Sequence, residues 1–243
     1  MVKKIEGLEN CPLINDLELY DNRIRVVENL GHLVNLVHLD LSFNRIREIS
    51  GLDTLVNLKK LYLSANRLRK IENLENLTSL EILDVGDNKI RKIENIGMLT
   101  TLTEFHAAKN KLIKIEGLEN LTNLTLIACQ ANFIQALEGV DTLIYLEQLY
   151  LQQNQIKKIQ GLQNCPKLEI LDLAMNKIET FENLEHLTKL EELWCNWNFF
   201  ADTVENREYL KKLKLRTIYL ADNPISNHDG YEQMLKEAMP SLQ

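Results

Sequence analysis

Nine asparagines return at an interval of 22 residues without a slip: Asn22, Asn44, Asn66, Asn88, Asn110, Asn132, Asn154, Asn176 and Asn198. A tenth, Asn223, follows after 25 residues. The same apolar frame surrounds each of them. It is clearest in Leu36-Val-His-Leu39-Asp-Leu41 with Asn44, Ile46 and Ile49, and it recurs at Leu58, Leu61, Leu63, Asn66, Leu68 and Ile71. A fixed period of this length marks stacked units that share one core with their neighbours. The 243 residues therefore read as one domain, 1–243. Residues 1–13 form a partial unit that caps the open end, residues 14–198 carry the regular units, and residues 199–243 hold an insertion, a last unit and a C-terminal cap.

Within each unit the L-x-L alternation sends leucines to one face and the intervening residue to the other, as a strand does. Ten strand cores begin near Ile14, Leu36, Leu58, Leu80, Leu102, Leu124, Leu146, Leu168, Leu190 and Leu215. Parallel neighbours about 4.8 Å apart give a concave sheet roughly 45 Å long. The asparagine side chain can bond backbone groups where the chain turns off the strand. The I-x-x-I-x-x-L segment is too short for an α-helix and predicts 3₁₀ turns on the convex side. This template is similar to the 22-residue leucine-rich repeat. It implies a fold of the α/β class: a right-handed leucine-rich-repeat solenoid with about ten parallel concave strands, a 3₁₀ or irregular convex side and a helical C-terminal cap. The fifth and sixth strands, Phe105-His-Ala107 and Ile127-Ala-Cys129, carry small inward residues that predict altered packing in mid-array. Val204–Leu213 and His228–Met239 read as helices, the second closed by Pro240.

A formal net charge of −7 argues against general affinity for nucleic acid and suits a partner with a basic patch. Cys129 and Cys195 replace inward leucines and read as core thiols, and Cys11 and Cys165 stand too far apart to pair. No C-x-x-C spacing occurs, so neither a disulfide frame nor a zinc site is expected. No run approaches the ~18 apolar residues of a membrane helix, and the first residues lack a secretory pattern. A cytoplasmic or nuclear address and a monomer are expected, with the Asn-Leu-Thr sequons at Asn76, Asn120 and Asn123 arising from the repeat itself. The nucleotide-binding and hydrolytic motifs are missing, and His32, His38, His106, His186 and His228 show no metal spacing. The expectation is a non-catalytic protein without cofactor or metal.

The concave face then carries the specific content. Its central column, the x of L-x-L, runs Glu18, Asp40, Tyr62, Asp84, His106, Ala128, Tyr150, Asp172, Trp194 and Tyr219. Two residues earlier stand Asp16, His38, Lys60, Glu104, Gln148 and Glu192. The repeat demands nothing apolar at these solvent-facing positions. Aromatic anchors mixed with acids are what a surface for a basic protein patch requires. The partner-binding candidates are Asp40, Tyr62, Asp84, His106, Tyr150, Asp172, Glu192, Trp194 and Tyr219.

These columns, with Glu192-Leu-Trp194-Cys-Asn-Trp-Asn198 and Thr217-Ile-Tyr219-Leu-Ala-Asp-Asn-Pro224, resemble the leucine-rich-repeat regulatory subunit of type-1 protein serine/threonine phosphatase. The resemblance spans nearly the whole chain. It implies a grip on the phosphatase catalytic subunit by Asp40, Asp84, Asp172 and Glu192 as acids and by Tyr62, Trp194 and Tyr219 as aromatics. The short docking motif of phosphatase regulators, a basic residue before V/I-x-F/W, is absent, and Lys177-Ile-Glu-Thr-Phe181 has the wrong spacing. Any grip must be the broad concave one. The rival readings are a ciliary or cytoskeletal scaffold and a component of an RNA-processing complex.

A second surface lies one and three residues after the asparagines: Arg23, Arg25, Arg45, Arg47, Arg67, Arg69, Lys89, Arg91 and then Lys111, before Phe133 and Gln155 end the row. Glu28, Glu48, Glu72 and Glu94 follow in the same units and are expected to neutralise much of this ladder. Trp197, Phe199 and Phe200 are expected to pack beneath the insertion.

Overall fold

The computed structural model describes residues 1–227, 229–240 and 242. His228, Ser241 and Gln243, and with them the expected start of the last helix, lie outside the described residues. Each unit contributes one three-residue strand: β1 (Asp16–Glu18), β2 (His38–Asp40), β3 (Lys60–Tyr62), β4 (Ile82–Asp84), β5 (Glu104–His106), β6 (Leu126–Ala128), β7 (Gln148–Tyr150), β8 (Ile170–Asp172), β9 (Glu192–Trp194) and β10 (Thr217–Tyr219). They form one sheet in chain order, every neighbour parallel. The register follows the period, with Leu39 between Leu17 and Leu61, and it survives the insertion, with Ile218 beside Leu193. Connections between parallel strands of one sheet are right-handed as a rule. This is the expected solenoid.

Asparagine recurs because it joins each turn to the one before. Asn110 Nδ2 donates to the carbonyls of Ala107 (3.2 Å) and Ala108 (3.1 Å) in its own unit and of Val85 (2.9 Å) in the preceding one. Its Oδ1 accepts the Ile90 N–H at 2.9 Å. The same four partners recur from Asn44 to Asn198 and at Asn223. An aspartate has the shape but not the donors.

The residue before each of these asparagines is left-handed, as at Ala65 (φ 52°) and Met175 (φ 55°). A second left-handed position takes either asparagine or glycine. Asn73 and Asn95 there donate to the carbonyls of Ile49 and Ile71 in the preceding unit. At Gly139 a Cβ would lie 2.3 Å from the Ile115 carbonyl oxygen, so no side chain fits. On the convex side Leu33 N–H bonds Leu30 C=O and Leu36 N–H bonds Leu33 C=O, at 2.9 and 3.0 Å. These are single 3₁₀-type turns placed end to end. Among the described residues a continuous 3₁₀ helix forms only at Pro224–Asn227.

One apolar core runs from Ile5 to Met239. Phe105 is fully buried between the register positions of Leu83 and Ile127, two residues before the small, equally buried Ala107 that follows the end of β5. Large beside small keeps the volume near that of two leucines, so the mid-array sequence change leaves the sheet unbroken. Cys129, Cys165 and Cys195 are buried free thiols, and burial pushes the Cys165 thiol up to about 11 and Cys129 up to about 12.

The insertion forms α1 (Val204–Leu210), shorter than the expected 204–213, capped by Thr203. Asn206, buried in it, accepts the Phe181 N–H and donates to the Glu179 carbonyl, tying the helix to the preceding unit. The last helix is α2 (Tyr231–Ala238). Phe200 is buried and stacks on Phe181 at 4.1 Å. Trp197 and Phe199 do not pack beneath the insertion: they are 56% and 55% exposed. They flank Asn198 as Phe43 and Arg45 flank Asn44, positions where the chain leaves the strand with side chains turned outward.

Candidate functional site

The sheet lines up the outward residues of ten strands, so side chains far apart in sequence become neighbours. Near the N-terminal end His38 Nδ1 lies 3.1 Å from Asp16 Oδ2, and its ring meets Tyr62 edge-on at 5.4 Å. Asp16, Glu18 and His38 bring potential ligand atoms within 4.8 Å of one another, but both acids are exposed and the histidine is already bonded to one of them. Mid-face, His106 Nε2 lies 3.2 Å from Glu104 Oε2. Toward the C-terminal end Tyr150 donates to Gln148 (2.9 Å), Trp194 Nε1 donates to Glu192 Oε2 (3.2 Å), and Trp194 meets Tyr219 edge-on at 5.6 Å. In the units of His106, Tyr150 and Trp194 the earlier column holds the side chain of the central one.

The aspartates of the central column carry a local duty that the periodicity alone does not reveal. The Oδ1 atoms of Asp40, Asp84 and Asp172 accept the backbone N–H two residues on, from Ser42 (2.7 Å), Gly86 (2.8 Å) and Ala174 (3.0 Å). This Asx-type turn ends the strand, and the small residue two places after each aspartate is its sequence signal. Each acid keeps its second oxygen for other contacts.

Asp172 departs from the expected solvent-facing place. It is fully buried, its Oδ2 has no partner among the described residues, and burial raises its pKa to about 6. Its register neighbours are Tyr150 and Trp194, whose large side chains flank it on both sides. Burial, and then Glu192 and Asp172, hold the Tyr150 hydroxyl above its usual range; burial, and then Glu104, Asp84 and Asp40, do the same for Tyr62. The acids therefore impose a negative field along the face. Such a face suits cationic groups that fit between aromatic walls.

The structure brings all nine candidates onto this face, with Asp172 beneath its surface. Ile82, Leu126 and Ile170 were missed. They are half-buried in the earlier column and extend the apolar part of the face. Their register with His38 was the available signal.

The position of Asp172 makes a prediction about stability. Over pH 3.8 to 6 the folded chain keeps a proton that the unfolded chain has lost, so stability falls as pH rises through that window. Two pH units correspond to about 3 kcal/mol. Asp172→Asn should therefore stabilise the protein at pH 8 by about 1–2 kcal/mol, less than the full amount because the amide also lacks a partner. At pH 4 the gain should vanish. Urea unfolding of both proteins at the two pH values checks this, and parallel pH profiles would refute it.

The leucine-rich repeat family model (two copies of the repeat) matches residues 12–54, 56–97 and 146–186. A comparison with curated proteins finds no match. Among solved structures, internalin C2 from Listeria monocytogenes is similar at a TM-score of 0.70 and 27% identity, over 73% of this chain and 78% of that one. A leucine-rich-repeat protein of Leptospira interrogans superposes at a TM-score of 0.74 and 23% identity, over 95% of this chain and 66% of that one. YopM from Yersinia enterocolitica does so at 0.71 and 23%, over 87% and 43%. The last two are likenesses of fold alone.

Proposed function

We propose that this chain, which belongs to the leucine-rich repeat family, is a non-catalytic scaffold whose concave face binds the catalytic subunit of a type-1 protein phosphatase. Its repeats suit protein–protein contact, and the partner is our reading of the face. The observation that carries it is the C-terminal half of that face. There Asp172, with a free buried oxygen, lies between Tyr150 and Trp194, while Glu192 orients the Trp194 indole. A basic side chain of the partner entering between the rings would satisfy that oxygen and gain from both aromatic faces. Buried aromatic anchors of this kind dominate interface energies. The scaffold acts as a monomer in the cytoplasm or nucleus and regulates the phosphatase by occupying its surface.

Trp194→Ala is expected to weaken capture of the catalytic subunit about 100-fold, equivalent to about 2.7 kcal/mol. Trp194→Ala combined with Asp172→Ala should abolish recovery in a pull-down. Equal recovery by wild type and double variant would overturn the site. No recovery by either would overturn the partner.

A further inference from the structure

The basic ladder stands clear of the concave face, and the acids expected to neutralise it do not do so. Among the described residues no ion pair or side-chain hydrogen bond engages Arg23, Arg25, Arg45, Arg47, Arg67, Arg69, Lys89, Arg91 or Lys111. Of the four glutamates, Glu94 pairs with Lys92 at 3.8 Å, outside the ladder, and Glu28, Glu48 and Glu72 form no ion pair among the described residues. Glu28, Glu72 and Glu94 stand after Val27, Ile71 and Ile93, three residues past Arg25, Arg69 and Arg91, and Glu48 is adjacent to Arg47 without pairing with it.

Two clefts result along one rim. Lys3, Arg23, Arg25 and Arg45 line the first; Arg47, Arg67, Arg69 and Lys89 line the second. Like charges one repeat apart, about 4.8 Å, repel one another without a counter-charge. The solenoid holds them together through its core, and an anion bound between them would relieve the repulsion.

We infer that this rim is a second binding surface, one that takes a short acidic segment of a protein in extended form. Seven of the nine ladder residues are arginine, whose planar fork receives a carboxylate in two parallel hydrogen bonds where lysine offers a point charge. From Arg23 to Lys111 the ladder spans four repeats, roughly 19 Å, enough for about six extended residues. It then ends, at Phe133 and Gln155, on a chain of net charge −7. A nucleic-acid strand carries its charge on past 19 Å and meets that repulsion; a short acidic segment does not. Phe43, paired with the exposed Tyr20 ring at 5.0 Å, lines an adjoining hollow that shares Arg23 and Arg45 with the first cleft and also holds Asp21, and it offers an apolar side chain of the segment a place to pack.

Fluorescence anisotropy of a labelled ten-residue peptide rich in glutamate and aspartate tests this. The controls are a glutamine/asparagine version of the peptide and a single-stranded oligonucleotide of equal charge. The acidic peptide should bind the wild type, and its affinity should fall at least tenfold in 0.5 M NaCl. It should fall at least tenfold in R47Q/R67Q/R69Q, and further in R47E/R67E/R69E. Trp194→Ala should bind the peptide as the wild type does, which separates this rim from the concave face. Equal binding of the acidic and neutral peptides, or no loss in either triple variant, overturns the site. Tighter binding of the oligonucleotide overturns the assignment to a protein segment.

Discussion

Replacing Asn110 by alanine is expected to lower stability by about 3–5 kcal/mol, although it removes a polar side chain from an apolar core. The residue is only 5% exposed, so water cannot replace it. Its loss strands the Ile90 N–H and withdraws the donor shared by Val85, Ala107 and Ala108. A buried group left unpaired costs about 1–3 kcal/mol, and here the deficit falls on two adjoining units at once. Asn110→Asp keeps the volume and should be at least as damaging at pH 7, because a carboxylate would then face three carbonyl oxygens. Its deficit should shrink as pH falls and the side chain regains a proton. Asn22, half-buried at the end of the array with fewer partners, is the contrast: Asn22→Ala should cost about 1 kcal/mol. Urea unfolding with hydrogen exchange at Ile90 measures both. A deficit below about 1 kcal/mol for Asn110→Ala would refute the account of the asparagine ladder.

Phe105→Ala should lower stability by a similar amount, about 3–5 kcal/mol, through the cavity left by a fully buried ring. The informative variant is Phe105→Leu. Leucine is the residue of the same position in the neighbouring Leu61, Leu83 and Leu149, so sequence regularity alone would call it harmless. Beside Ala107 it should cost about 1–2 kcal/mol, because neither side chain then fills the space. Ala107→Leu added to Phe105→Leu should restore most of that loss, while Ala107→Leu alone should overpack the strand. Denaturation of the four proteins forms a double-mutant cycle. An interaction energy indistinguishable from zero would show that the two positions do not share volume. In a solenoid each unit contacts only its neighbours, so damage at this point also weakens the link between the two ends of the concave face.

Much of the fold could be read in advance for a definite reason. The period of 22 is imposed by geometry: each strand must lie beside the last, each Asn110-like amide must reach the preceding turn, and the second left-handed position of each regular unit is asparagine or glycine. A repeated local demand leaves a repeated mark. The concave columns were equally legible, because a strand alternates its side chains. The irregular parts were not. Trp197 and Phe199 looked like core residues by type, yet their register beside Asn198 turns them outward. The glutamates near the ladder looked like counter-charges by proximity in sequence, yet among the described residues Glu28, Glu48 and Glu72 form no ion pair and Glu94 pairs with Lys92, outside the ladder.

The amino-acid sequence alone determined the solenoid, its ten-strand sheet and the identities that line its face, since these follow from a period and a two-residue alternation. Only the tertiary structure decided which of those side chains meets water. Asp40, Asp84 and Asp172 are the same letter in the same column, each accepting the backbone N–H two residues on, but only Asp172, in register between Tyr150 and Trp194, is fully buried, its second oxygen without a partner among the described residues. That difference is set by the neighbours 22 residues away on either side, which pack against it only once the units have stacked.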